Sequence, residues 1–155
     1  DRVFVAPALA ITHNLSQAGG QWGITPERAR GFERELAATV ETVARMRRRG
    51  IRVLPGGDYG FVYTPHGTYA RDLWLFVKVL GYSPMETITA ATRLGGEIMG
   101  RPGELGVVQP GALADLLLVD GDPLADLALL QDRGAIRMIM KDGALHKAPV
   151  GGPAR

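Results

Sequence analysis

The chain has no cysteine among its 155 residues, few aromatic side chains and no long apolar run. The lack of cysteine excludes disulfide frameworks, thiolate zinc sites and cysteine nucleophiles. The longest apolar stretch, Leu73 to Leu80, is interrupted by Lys78 and falls far short of the ~20 residues that a membrane-spanning helix needs. No signal-peptide pattern follows Asp1-Arg2, so the sequence predicts a cytoplasmic protein without a membrane partner.

Two common catalytic patterns are missing as well. The three histidines, His13, His66 and His146, form no His-x-His or His-x-x-x-His pair, so the chain has no zinc-site spacing of its own. No Gly-x-Ser-x-Gly elbow is present, which leaves Ser/His/Asp catalysis unsupported. The net charge of +2 is too small for a general polyanion binder.

One cluster of cations, Arg45 and Arg47 to Arg49, invites a nucleic-acid interpretation. The cluster stands at a predicted helix C-terminus, where the helix dipole favours positive charge. It lacks interleaved aromatic residues, and glutamates on the same helix dilute it. We therefore expect a solvated helix end and no nucleic-acid partner; a small basic nucleic-acid binder is the third functional hypothesis, and its binding would depend on salt.

The composition is that of a folded protein, since 46% of the residues are hydrophobic and 22% are charged. The first hundred residues alternate strands and helices, with strands predicted at 3–6 and 51–54 and a polar loop from His13 to Gly23. Thr25 and Pro26 predict the start of a long helix that ends at Gly50. Its apolar stripe consists of Ala29, Phe32, Leu36, Val40, Val43 and Met46.

The remaining pattern predicts helices first and short strands afterwards. A helix with Leu73 and Phe76 on its apolar face ends at Gly81, and the sequence from Ser83 to Glu86 is a capping box for a last helix that extends to about Met99. Beyond residue 102 we predict antiparallel strands at 105–108, 116–119, 136–140 and 145–146, turns at Pro110-Gly111 and Asp142-Gly143, and helical turns within 123–130.

The segment from Gly56 to Tyr69 concentrates the residues that could carry chemistry. It contains four of the ten aromatic residues and four glycines, and it joins a predicted buried strand to a helix. In α/β folds active sites lie at such strand-to-helix loops. Asp58 could bind a metal ion or accept a proton from water. The alternative is that Asp58 only caps a turn, since Gly-Gly-Asp is common turn chemistry. A loop histidine such as His66 is more often a surface hydrogen-bonding residue than a ligand.

Five segments give the chain a resemblance to the C-terminal part of the amidohydrolase superfamily, in particular to its imidazolonepropionase-like and prolidase-like branch. The segments are 53–58 (VLPGGD), 64–67 (TPHG), 81–92 (GYSPMETITAAT), 104–124 (ELGVVQPGALADLLLVDGDPL) and 140–143 (MKDG). The match spans nearly the whole chain in the right order.

The resemblance implies an α/β fold, the C-terminal piece of a (β/α)8 TIM-like barrel with strands of a small β-sandwich. Residues 1–102 would supply about barrel strands seven and eight with their helices, 103–147 the sandwich strands and 148–155 a flexible tail. Asp58 matches the aspartate after strand eight, which in the family binds the metal and shuttles the proton of the attacking hydroxide. The family usually has Ser or Thr immediately before it, and Gly57 stands here instead.

The resemblance also implies what this chain does not contain. The family's His-x-His and its other ligands after strands four to six have no counterparts here, and a barrel needs about 250 residues. We therefore expect the C-terminal part of a hydrolase that cleaves a peptide-like or cyclic amide with one or two divalent ions, zinc being the expected one. Asp58 would be catalytic and metal-binding, and His66, Tyr59 and Tyr63 would bind a small-molecule or dipeptide-like substrate.

The expected partner is the N-terminal part of the barrel, and the chain alone is expected to be inactive. Homo-oligomerisation is left open. A second hypothesis is a non-catalytic interaction module of the same fold that has lost its metal site; the retained Asp58 favours the hydrolase.

Overall fold

A computed structural model of the chain describes residues 3–149, and contacts within the chain divide it into two units between Ser83 and Pro84. The regular elements of the first unit are β1 (Phe4–Val5), α1 (Leu9–Ser16), α2 (Pro26–Arg48), β2 (Arg52–Val53) and α3 (Ala70–Lys78). Those of the second unit are α4 (Pro84–Ala91), α5 (Arg93–Ile98), β3 (Leu116–Val119), β4 (Ile136–Lys141) and β5 (Ala144–Lys147). Short 3-10 helices span Gln21–Gly23 and Leu127–Gln131.

Strands β1 and β2 pair in parallel, with Phe4 opposite Arg52 and Val5 opposite Val53. The pairing continues beyond the strands through a hydrogen bond from Leu54 N to Val5 O of 3.0 Å. Parallel neighbours need a crossover, and α1 and α2 supply it. The predicted α/β class is therefore confirmed for this unit.

Helix α1 occupies residues that the sequence pattern assigns partly to a loop starting at His13, so that expectation is wrong. The helix packs against both α2 and α3, and this tertiary packing outweighs the weak local pattern. Its start is abrupt, because Ala8 adopts the left-handed conformation at φ 47° and its N–H binds Gly56 O at 3.1 Å. Its buried residues are Leu9, Ala10, Thr12, Leu15 and Ser16.

Helix α2 confirms its predicted start and its stripe. Thr25 is the N-cap and accepts a 3.3 Å hydrogen bond from Arg28 N, and Pro26 fills the first helical position. The helix stops before Gly50, which has a φ of 70°. All six stripe residues are buried or half-buried, because the last four pack in the core that includes Val5 and Val53 of the strands, and Ala29 and Phe32 pack with Leu15 of α1. The main core contains Leu9, Ala10, Val43, Val53, Leu75, Phe76, Leu80 and Tyr82.

In the second unit the predicted helix over 84–99 is present but is interrupted at Thr92, whose φ and ψ are −105° and −75°. The backbone near Gly106 approaches this point so closely that a Cβ there would lie 1.9 Å from Thr92 O. Gly96 allows a second close approach, since its Cβ would meet Leu105 O at 2.3 Å. Segment 105–108 is therefore packed against the helices, and the strand predicted there is absent from the described residues.

Strands β3, β4 and β5 form an antiparallel sheet, which confirms the strands predicted at 116–119, 136–140 and 145–146. Asp142 and Gly143 have φ values of 49° and 76°, as a tight hairpin turn requires. Asp115 supports this turn by accepting hydrogen bonds from Lys141 Nζ (2.6 Å) and Asp142 N (2.7 Å). The sheet exposes apolar side chains: Leu117 is 59% exposed and Leu145 52%.

The short helix predicted within 123–130 is shifted to Leu127–Gln131, where Asp126 accepts a 2.9 Å hydrogen bond from Ala128 N. Of the tail predicted at 148–155, residues 150–155 lie outside the described residues. No helix in the described part of the chain has the length and apolar character needed to cross a membrane.

Candidate functional site

The candidate site is the segment 55–69, which leaves the carboxyl end of β2 and leads into α3. The amino end of α1 lies beside it, as the hydrogen bond between Ala8 N and Gly56 O records. Carboxyl ends of parallel strands are where α/β folds place their ligands. The sequence prediction that this segment follows a buried strand holds, since Val53 and Leu54 are both buried.

Asp58 lies on the exposed surface of this segment. Its backbone is fixed by Thr64, which is 1% exposed and donates a 2.8 Å hydrogen bond from Oγ1 to Asp58 O. Two backbone hydrogen bonds close the same loop, from Gly60 N to Thr64 O at 2.9 Å and from Thr64 N to Phe61 O at 3.0 Å. The main chain at Asp58 is therefore held from inside while its carboxylate faces solvent.

Tyr59 points the other way, into the protein. Its hydroxyl donates a 2.9 Å hydrogen bond to Oδ2 of Asp72, a residue of α3 that is 2% exposed. Burial and the neighbouring Asp72 carboxylate raise the pKa of the Tyr59 hydroxyl, so it remains a donor across the physiological range. A predicted substrate-binding hydroxyl is thus already engaged within the protein, and Tyr59 can offer a ligand only its ring.

His66 lies at the exposed end of the same segment. Its Nδ1 is 2.9 Å from the Tyr69 hydroxyl, and its ring covers Gly60, where a Cβ would lie 3.0 Å from His66 Nε2. The Tyr69 ring meets the Tyr59 ring edge to face, with centroids 4.7 Å apart. Tyr59, Tyr69 and His66 therefore form one connected group, which we call the aromatic cluster.

Tyr63 belongs to a separate contact group. Its ring stacks on Phe61 with centroids 5.3 Å apart and meets Trp22 edge to face at 5.9 Å. Its carbonyl oxygen accepts a 2.6 Å hydrogen bond from Asn14 Nδ2 of α1. The predicted substrate residues are thus divided, with Tyr59 and His66 in the aromatic cluster and Tyr63 packed toward α1.

Asp72 is the polar residue that the sequence interpretation missed. It accepts hydrogen bonds from Tyr59 and from Ala10 N, the latter at 3.2 Å from Oδ1. Burial raises the pKa of the Asp72 carboxyl group, and the two hydrogen bonds partly offset this shift. Its spacing in the sequence could have indicated that it is buried. Asp72 precedes the buried Leu75 and Phe76 by three and four residues, so it lies on the same face of the helix.

Two further polar residues surround the segment. Burial lowers the pKa of the His13 ring on α1, the hydrogen bond with Asn14 opposes this shift, and the charge of Arg71 adds to it. Within residues 3–149, the buried Nε of Arg71 has no hydrogen-bond partner, while its guanidinium lies 5.7 Å from the Trp74 ring centre. Arg71 therefore places a positive charge beside the candidate site, whereas the lowered pKa of His13 favours its neutral ring.

Gly57 departs from the family pattern, and its surroundings give the reason. A Cβ at this position would lie 2.3 Å from Cε2 of Tyr59 and 2.7 Å from Oδ2 of Asp72. A serine or threonine therefore has no room here while Tyr59 and Asp72 keep their positions.

The donor set fits a divalent cation only in part. Asp58 offers an exposed carboxylate, an oxygen donor that such cations accept. Across residues 3–149, however, no group of three or more His, Cys, Asp or Glu side chains is arranged to hold an ion. Asp58 can thus be one ligand of a site whose other ligands come from outside these residues.

Comparison with known proteins identifies the family to which the chain belongs. The model of the family described as "Amidohydrolase family" matches residues 23–145, which include β2, the whole candidate site, β3, β4 and the start of β5. The chain belongs to the amidohydrolase family. The recognition made from the five sequence segments is confirmed at this level.

Three similar proteins locate the chain within longer relatives. The ochratoxinase of Aspergillus niger is 31% identical over 105 residues, which are 67% of this chain and 21% of that protein. The imidazolonepropionase of Ralstonia nicotianae is 39% identical over 99 residues, 64% of this chain and 24% of that protein. A prolidase solved with N-methylphosphonate-L-proline is 28% identical, with a TM-score of 0.78 over 95% of this chain and 35% of that structure. The chain thus spans a quarter or less of the two curated family members.

Proposed function

We propose that this chain is the C-terminal part of a metal-dependent amidohydrolase that cleaves an amide bond, peptide-like or cyclic, in a small substrate. The observation that carries the proposal is the exposed Asp58 carboxylate at the carboxyl end of β2, within the segment matched by the family. The names of the relatives, a prolidase and an imidazolonepropionase among them, support an amide substrate.

Asp58 would serve as a metal ligand and as the general base. A bound divalent cation, with zinc the expected ion, would lower the pKa of water so that it can attack at neutral pH. The Asp58 carboxylate would accept the proton of that water and pass it to the leaving nitrogen. The main-chain hydrogen bond from Thr64 supports this role, because it fixes the residue without occupying the carboxylate.

The aromatic cluster would form one wall of the substrate pocket. The exposed His66 ring and Tyr69 could contact a substrate directly, whereas Tyr59 would contribute its ring face. Tyr63 would contribute further along the same loop, where its ring packs with Phe61 and Trp22. The cationic Arg71 beside this wall is suited to a substrate that carries a carboxylate.

The fold assignment that goes with this function is a proposal too. Residues 1–102 would contribute strands seven and eight of a (β/α)8 barrel, and 103–147 would contribute strands to a β-sandwich. The parallel pairing of β1 with β2 supports the first part, and the apolar exposed side chains of the β3–β5 sheet support the second. The N-terminal part of the barrel would supply the remaining ligands and cover these surfaces.

The deciding experiment uses the complete protein that carries this chain, loaded with zinc. Hydrolysis of Xaa-Pro dipeptides, N-acyl amino acids and imidazolone propionate should reveal at least one substrate. Asp58→Asn should then lower kcat by about 10²-fold or more at saturating zinc, because general-base loss alone has about this effect. Asp132→Asn is the matched control, since Asp132 only accepts a turn hydrogen bond from Gly134 N at 2.7 Å.

The alternative, a non-catalytic interaction module, makes the opposite prediction. It would be favoured if no amide in the panel is hydrolysed and zinc does not bind to the complete protein. If activity exists but Asp58→Asn reduces kcat by less than about tenfold with an unchanged melting temperature, Asp58 only caps a turn.

A further inference from the structure

The buried carboxylate of Asp72 connects three separate parts of the first unit. Oδ2 accepts the Tyr59 hydroxyl from the loop after β2, and Oδ1 accepts Ala10 N from the first turn of α1. Asp72 itself belongs to α3 and is 2% exposed. One side chain thus ties together the elements that follow β1 and β2.

We propose that Asp72 is a positioning residue that, through Tyr59, fixes the segment Gly57–Tyr59 and thereby the direction of the Asp58 carboxylate. This inference rests on the proposed function of Asp58. Tyr59 is the immediate neighbour of Asp58, so its inward-pointing side chain turns the preceding residue toward the surface. The hydrogen bond from the Tyr59 hydroxyl to Oδ2 of Asp72, which we call the tie, is 2.9 Å long.

The packing at Gly57 gives a second observation on the same pair of side chains. The space that a side chain at residue 57 would occupy is filled by the Tyr59 ring and by Oδ2 of Asp72, at 2.3 and 2.7 Å from the Cβ position. No positive φ is required at Gly57, so the constraint there is the packing alone. A serine or threonine hydroxyl at residue 57 could have supported Asp58 directly; in this chain the hydrogen bond between Tyr59 and Asp72 would take that role.

The tie also reaches the predicted substrate wall. The Tyr59 ring contacts the Tyr69 ring, and the Tyr69 hydroxyl lies 2.9 Å from His66 Nδ1. A displacement of Tyr59 would therefore move both the Asp58 main chain and the aromatic cluster. Asp72 is itself only 2% exposed, so it acts through these residues.

A carboxylate suits this position better than an amide of the same shape. Both partners of Asp72 are donors, an O–H and an N–H, and each needs an acceptor oxygen. Asparagine has one carbonyl oxygen, so its NH₂ group would face one of the two donors. Burying a charge is costly unless hydrogen bonds compensate for it, and the two bonds provide part of that compensation.

The test compares Tyr59→Phe and Asp72→Asn with Tyr82→Phe in the complete, zinc-loaded protein. Tyr59→Phe keeps the ring and removes only the tie. Tyr82→Phe is the control, since Tyr82 is a more deeply buried tyrosine of the same unit that packs on Phe76 in the core, with ring centroids 5.2 Å apart. The measurements are amide hydrogen exchange at residues 56–60, the melting temperature, and kcat and KM for a hydrolysed Xaa-Pro dipeptide.

We expect exchange at residues 56–60 to accelerate by about tenfold or more in both site variants, as loss of a hydrogen bond to a charged group predicts. Exchange in β3–β5 should stay unchanged. We also expect kcat to fall by about tenfold and KM to rise by a smaller factor, about threefold, because the base is displaced directly and the aromatic cluster only through the contact between Tyr59 and Tyr69. Tyr82→Phe should change neither exchange at 56–60 nor kcat.

Unchanged exchange in both site variants would overturn the positioning role, and so would faster exchange with an unaltered kcat. An equal loss of kcat in Tyr82→Phe would also overturn it, because the effect would then be general destabilisation. If the unsubstituted protein hydrolyses no amide, the proposed function fails by itself. Exchange still decides whether Asp72 fixes the segment.

Discussion

Replacement of Gly57 by alanine provides a severe test of the packing described for the candidate site. The added Cβ would lie 2.3 Å from Tyr59 Cε2, 2.7 Å from Asp72 Oδ2 and 3.0 Å from Tyr59 Cζ. An ordinary contact between carbon atoms is about 3.5–4.0 Å. The Tyr59 ring would therefore have to move by more than about 1 Å, which its buried hydroxyl does not permit without breaking the bond to Asp72.

The loss of folding free energy that we expect for Gly57→Ala has two parts. Overpacking a filled site costs about 1–3 kcal/mol. Loss of the hydrogen bond from Tyr59 to a charged acceptor adds about 1.5–3 kcal/mol if the ring swings out. We expect Gly57→Ala to lower the free energy of unfolding by about 2–4 kcal/mol, since partial relaxation avoids paying both in full.

The assay is denaturant or thermal unfolding of the complete protein, together with hydrogen exchange at residues 56–60. Gly95→Ala is the matched control: nothing lies within 4 Å of its Cβ position, and it is inside α5, where alanine is favoured by about 0.5–1 kcal/mol. The double variant Gly57→Ala/Tyr59→Leu should recover part of the loss that each change causes alone. Equal stability of Gly57→Ala and the unsubstituted protein would refute the reasoning.

Three further predictions follow from individual groups. Burial raises the pKa of Asp72 in the folded protein above its ordinary value of 3.8, so the free energy of unfolding should fall as the pH rises and Asp72 loses its proton. Asp72→Asn lacks this fall, so unfolding measured from about pH 3 to about pH 6 should show its stability relative to the unsubstituted protein increasing with pH. A stability difference that does not change with pH would contradict the assignment. Thr64→Val keeps the shape of a buried side chain but leaves Asp58 O without its donor, so we expect a loss of about 1–2 kcal/mol, against a smaller loss in the exposed control Thr68→Val. The 155-residue chain expressed alone should self-associate and bind no divalent cation tightly, because β1 and β2 are short and the β3–β5 sheet exposes Leu117 and Leu145; a monodisperse monomer that binds zinc at micromolar concentration would refute this.

The elements that the sequence predicts well are those whose signals are local. Helix α2 carries its own cap at Thr25 and a stripe with helical spacing, so its start and buried face were both predictable. The hairpin at Asp142-Gly143 is similar, because the turn residues themselves specify the left-handed backbone. The place of Asp58 after a buried parallel strand follows from the same kind of pattern.

The elements that it predicts poorly depend on contacts between distant residues. The helix over 84–99 breaks at Thr92 because the backbone at Gly106 packs against it, and nothing in the helix sequence encodes that approach. Helix α1 has a weak local pattern and depends on α2 and α3. Within the site, the partner of the Tyr59 hydroxyl lies thirteen residues away on α3, and the local sequence around Tyr59 does not predict that internal hydrogen bond.

The closed loop around Asp58 has a consequence for the order of folding. Thr64 Oγ1 reaches Asp58 O across six residues, and the backbone bonds between Gly60, Phe61 and Thr64 span even less chain. Closing so short a loop costs little chain entropy and takes well under a microsecond for a loop of about ten residues. The link from Ala10 to Asp72, by contrast, spans 62 residues. We therefore expect the main chain that carries Asp58 to acquire its local shape early, and its tie to α1 and α3 to form only when the two parallel strands meet.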